Sequence, residues 1–71
     1  MPVFKIKEEK PTIRRMREIY GLDREGLAKI VGVSAPTISN YERGKTIPDV
    51  VTAKKIAEFF NVPLKDINFL K

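Results

Sequence analysis

Within "TIRRMREIYGLDREGLAKIVGVSAPTISNYERGK", residues 12 to 45, helix-capping residues and glycines alternate closely. Thr12, Asp23 and Ser34 carry side-chain oxygens suited to accept the unpaired N–H groups of a helix's first turn. Gly21, Gly32 and Gly44 follow, each able to take the left-handed conformation that ends a helix. At 3.6 residues per turn, each intervening segment has room for only about two turns. Short helices joined by tight turns are therefore the expected architecture.

The apolar positions agree. In the first helix Ile13, Met16, Ile19 and Tyr20 recur at helical spacing, with Arg14, Arg15 and Glu18 on the other faces. The second offers Leu27, Ala28, Ile30 and Val31 to a core, and the third Ile38 and Tyr41. Gly26 weakens the first turn of the second helix, by roughly 0.5 to 1 kcal/mol against Ala. Pro36 falls at the second position of the third, where its missing N–H had no acceptor within the helix. Ser34 is then left to cap through the N–H of Thr37. Pro48 and Asp49 open a fourth helix with Val50, Ala53, Ile56, Ala57 and Phe60 as its apolar stripe and Asn61 as terminator. "VPLKDINFLK" has room for one more short helix. Ahead of them all, "VFKIK" reads as a short strand, an extended arm or a frayed tail. The expectation is an all-α, compact five-helix domain over 11–71 with an N-terminal arm over 1–10.

At 71 residues one small domain is expected, and the absence of Cys and His excludes disulfides, thiolate and imidazole nucleophiles and the usual zinc ligands. With no phosphate loop and no clustered carboxylates, neither an enzyme nor a cofactor is expected. No uncharged stretch approaches a membrane span, and the first ten residues lack a signal-peptide apolar block, so the cytoplasm is the expected compartment. Fourteen basic against nine acidic residues leave a net charge of +5, which favours polyanions as partners.

"LDREGLAKIVGVSAPTISNYERGKTIP" has the layout of a helix-turn-helix: a capped helix with small Ala28 mid-way, a glycine turn and a second capped helix. Two helices crossing on a short turn approach closely, which excludes a bulky side chain at the crossing. A structural αα-hairpin shares this layout. The pieces "GLAKIVGVS", "TISNYERGK", Pro48-Asp49 and "KIAEFFNV" make the stronger case. With them, residues 12 to 68, roughly four fifths of the chain, resemble the phage-repressor-like helix-turn-helix family, the Xre or Cro/CI type, a lambda-repressor-like fold.

The resemblance implies five helices, of which the third, Ser34 to Arg43, lies in the major groove of double-stranded DNA. Ala35, Pro36, Thr37, Ser39 and Asn40 would face bases or the adjacent backbone. Arg24 and Ser34 would touch phosphate, and Arg43 and Lys45 would meet the sugar-phosphate backbone. Arg17 and Glu42 would form a structural ion pair. Arg14 and Arg15 read as a solvated face, with DNA contact as the alternative. Several positions depart from the family pattern: Arg24 replaces a common Gln, Gly26 an acidic capping-box residue, and Ala35 and Pro36 long polar side chains. The last two changes remove bidentate base readers, so direct readout would rest on Asn40, Thr37 and Ser39, with Ala35 or Pro36 against thymine methyls.

One such domain covers a half-site, and the family commonly binds as a homodimer on a two-fold operator with reading helices about 34 Å apart. Val51 and Phe59 fall off the core stripe of the fourth helix and are candidate dimer contacts, unless they pack against the arm or "INFLK". "VFKIK" and "INFLK" are also candidates for pairing as strands. The expected function is a sequence-specific transcriptional regulator, a repressor acting by operator occupancy. The alternative is a protein-interaction module on the same fold, an antitoxin or coactivator adaptor, with a toxin or antirepressor as partner.

Overall fold

The helices begin where the capping residues place them. The structure, a computed structural model, describes residues 10–69. Four α-helices follow in order: α1 (Ile13–Ile19), α2 (Arg24–Val31), α3 (Ala35–Glu42) and α4 (Val50–Phe60). Thr12 accepts the N–H of Arg15, Asp23 that of Gly26, Ser34 that of Thr37 and Asp49 that of Thr52. Each bond satisfies one of the donors that a helix start leaves without an intrahelical acceptor. At the other ends Gly32 and Asn61 sit in the left-handed region, at φ 78° and 58°.

The expected fifth helix is a single 3₁₀ turn, Leu64–Asp66. Pro63 precedes it and Ile67 leaves it in extended conformation, so an α-helical ladder has no length in which to form. The chain then returns to its start. Asn68 N–H donates to the carbonyl of Pro11 at 2.9 Å, Thr12 and Asn68 form an isolated parallel bridge, and Lys10 Nζ donates to the carbonyl of Lys65 at 2.9 Å. The "INFLK" segment thus begins by pairing with Pro11 and Thr12; "VFKIK" lies outside the described residues.

The core collects Met16 of α1, Leu27 and Val31 of α2, Ile38 of α3, and Ile56 and Phe60 of α4, all at 2% exposure or less. Val62 and Ile67, which follow α4 in the chain, complete it. Fully burying one such side chain is worth about 1.5–3 kcal/mol relative to leaving it in water. Tyr20 joins α1 to α4, its ring 4.9 Å from that of Phe60 in an edge-on arrangement and its hydroxyl donating to the Phe60 carbonyl at 3.3 Å.

Three residues expected in the core are exposed: Ile19, Ile30 and Val50, at 41%, 45% and 65%. On α1 and α2, at about 100° per residue, Ile19 and Ile30 stand roughly a quarter turn or more from the centre of the buried stripe. Val50 is the first residue of α4, and burial begins one turn later at Ala53. Phe59 is half-buried, its ring 5.5 Å from Tyr20 and 5.0 Å from Phe60. It belongs to an aromatic cluster and is not a freely exposed partner of Val51.

Candidate nucleic-acid interface

The α2–α3 unit is set by a sharp turn. The carbonyl of Ala28 accepts both the Gly32 and Val33 N–H groups, at 2.8 and 3.0 Å, and its methyl is buried. This double bond-acceptance ends α2 and turns the chain into α3. Ile38 and Tyr41 anchor α3 to the core, and burial raises the Tyr41 phenol above its ordinary pKa, with the Asp49 carboxylate adding to the effect.

The outer side of α3 holds the sequence-predicted reading residues together. Ala35, Thr37, Ser39 and Asn40 are half-exposed and Pro36 is exposed, while Arg43 and Lys45 are exposed at the helix's far end. Gly44, at φ 74°, turns the chain between those two cations. Its neighbours Lys45 and Thr46 donate their N–H groups to the Asn40 carbonyl at 2.9 and 3.4 Å, so Asn40's backbone is engaged in the helix exit. At the near end, Ser34 Oγ lies 2.8 Å from Thr37 Oγ1 as well as accepting the Thr37 N–H. These two hydroxyls are linked to each other before any ligand arrives.

Arg17 and Glu42 meet in a bidentate pair, Nε to Oε2 at 2.7 Å and Nη2 to Oε1 at 3.2 Å. Arg17 also donates from Nη1 to the Leu22 carbonyl at 2.9 Å. The Glu42 hydrogen bond holds the Arg17 guanidinium above its ordinary, already high pKa, against the opposing effect of burial. Arg24 is a surprise: its Nε donates to Glu42 Oε1 at 3.1 Å, so the residue expected on phosphate is tethered to α3. Sequence reasoning missed this link, because the two residues are eighteen positions apart on different helices with no periodicity to relate them. It also missed the exposure of Ile47 and Val50 beside Val51, at 58%, 65% and 63%. Arg14 pairs with Glu18 at 3.1 Å on an exposed face.

Residues 13–67 match the helix-turn-helix family model. The chain belongs to the helix-turn-helix family. Among its relatives is an uncharacterized HTH-type transcriptional regulator of Methanocaldococcus jannaschii, 43% identical over 82% of this chain and 88% of the relative. One of Archaeoglobus fulgidus with the same description is 46% identical over 78% of this chain and 79% of the relative. The cryptic phage CTXphi transcriptional repressor RstR of Vibrio cholerae is 34% identical over 78% of this chain and half of its own length. No solved structure matches. The family match runs from the start of α1 to Ile67, just past the 3₁₀ turn, so among the described residues of this helix-turn-helix chain the buried core cluster lies within the matched region. Its class is that of DNA-binding regulators, not of enzymes. Among the described residues no helix is long and apolar enough to cross a membrane, and no group of three His, Cys, Asp or Glu is placed to hold a metal.

Proposed function

We infer that this protein is a sequence-specific double-stranded DNA-binding regulator that lays α3 in the major groove and represses by occupying its operator. The observation that carries this reading is the division of α3: Ile38 and Tyr41 fix it to the core, while Pro36, Thr37, Ser39 and Asn40 stay at the surface beside Arg43 and Lys45. Ser34, Arg24, Arg43 and Lys45 serve the phosphates, and the small polar and methyl-bearing groups between them serve base edges. Residues 11–71 form the binding domain, with residues 1–10 as an arm and the cytoplasm as the compartment. RstR's description as a phage repressor supports repression as the mode.

Binding is as a homodimer, supported by the exposed apolar group Ile47, Val50 and Val51 at the start of α4, with the half-buried Phe59 a lesser contributor. Fluorescence anisotropy with a duplex tests the reading: affinity should fall steeply between about 50 and 200 mM salt, and a flat response contradicts it. The same apolar group favours a second reading, in which it docks a toxin or antirepressor protein. Val51→Glu separates the two, since it weakens binding to a two-half-site duplex only if the patch joins two copies on DNA.

A further inference from the structure

Glu42 holds two arginines with one carboxylate, and it treats them differently. Arg17, with a side chain 12% exposed, takes both oxygens and spends a third N–H on the Leu22 carbonyl. Arg24, 45% exposed, reaches Glu42 Oε1 through Nε alone. One carboxylate against two guanidiniums leaves one positive charge over, and the exposures put it at Arg24. A guanidinium is a rigid plane with five N–H groups. Held by Nε against a carboxylate that is 2% exposed, Arg24 keeps its Nη groups for a second acceptor, and among the described residues they have none.

We propose that Glu42 is a positioning residue that fixes Arg24 for a phosphate of the DNA backbone. The proposal rests on the DNA-binding reading above. Arg24 opens α2 and Glu42 closes α3, so the tether refers a phosphate contact at one helix directly to the frame of the reading helix. Phosphate contacts set register on the duplex, and a side chain ordered before binding loses less rotamer freedom on binding. Lysine cannot replace it: an ammonium is a point charge without a planar fork that engages a carboxylate at one edge and a phosphate at the other.

The test uses the full chain and a duplex bound by the wild type, with urea unfolding run on every variant. Arg24→Lys should weaken binding several-fold while keeping the salt dependence of the wild type, because its charge still neutralises the phosphate without the tether, whereas Arg24→Ala should weaken it further and reduce the salt slope by about 0.9. Arg24→Lys at wild-type affinity overturns the role of Glu42 and leaves the DNA reading standing. A wild type that binds no duplex overturns both. A second measurement needs no variant of the buried pair: the NMR signal of Arg24 Nε–H should stay protected from solvent exchange in the complex as in the free protein. Its release into fast exchange on DNA binding overturns the proposal.

Discussion

Ser34 Oγ accepts the N–H of Thr37 at 3.2 Å, across a first turn in which Pro36 has no N–H to give. The cap has one donor within its usual reach where most helices offer two. Replacing it therefore removes the side-chain bond that helps start α3. Ser34→Ala should cost about 0.5–2 kcal/mol in urea unfolding, and Ser34→Asp should recover most of the loss. An unchanged midpoint for the alanine variant would show that the proline alone sets this helix start.

Removing Arg17 has a larger effect. Glu42, 2% exposed, would lose its bidentate partner and keep only the Nε of Arg24. Breaking a buried pair by deleting one member costs up to about 3–5 kcal/mol, and here the remaining bond from Arg24 offsets part of that loss. Arg17→Met should lower stability towards that range by calorimetry or denaturant melt. A loss within about 0.5 kcal/mol, the surface level, contradicts the structural importance of the pair.

Asp49 gives a pH dependence of known sign. The Thr52 backbone N–H, then its hydroxyl, hold the carboxyl below its ordinary value of 3.8 against an opposing desolvation, with the nearby Lys55 charge adding a smaller pull in the same direction. A depressed folded-state pKa contributes stability that is present above the unfolded value and lost as pH falls through the folded one. The melting-temperature advantage of the wild type over Asp49→Asn should thus be constant above about pH 5 and shrink below pH 4. A gap that widens on acidification reverses the assignment.

Asn40 and Arg43 should fail in different ways on DNA. Asn40 stands on the outer side of α3, and under the proposed function it reads a base, so Asn40→Ala should cost about 1–3 kcal/mol on the preferred sequence and almost nothing on unrelated duplex. Arg43→Ala should weaken both duplexes alike and reduce the salt slope by about 0.9 for the phosphate contact removed. Titration of each variant against both duplexes at several salt concentrations checks this; identical behaviour of the two variants contradicts the assigned roles.

Most of the fold was legible because it is written locally. Thr12, Asp23, Ser34 and Asp49 cap through bonds to residues three positions on, and that spacing is visible in the sequence. Ile30 and Val50 were misplaced because a hydrophobic residue near a stripe looks like part of it, and only the neighbouring helices decide where burial stops. The candidate site divides in the same way. The gathering of Pro36, Thr37, Ser39 and Asn40 on one side of α3 follows from helical geometry, whereas the Arg24 tether to Glu42 depends on how α2 crosses α3. The clasp of Asn68 on Pro11 joins distant segments of the chain through backbone groups, which any sequence carries.

The central claim is that two copies of α3 read a symmetric site. Selection of bound sequences from a random duplex pool tests it most directly. The account predicts an enriched two-fold-symmetric consensus with half-site centres about 34 Å apart, or one helical turn. A pool that stays random after repeated rounds, while the protein remains folded, would contradict it.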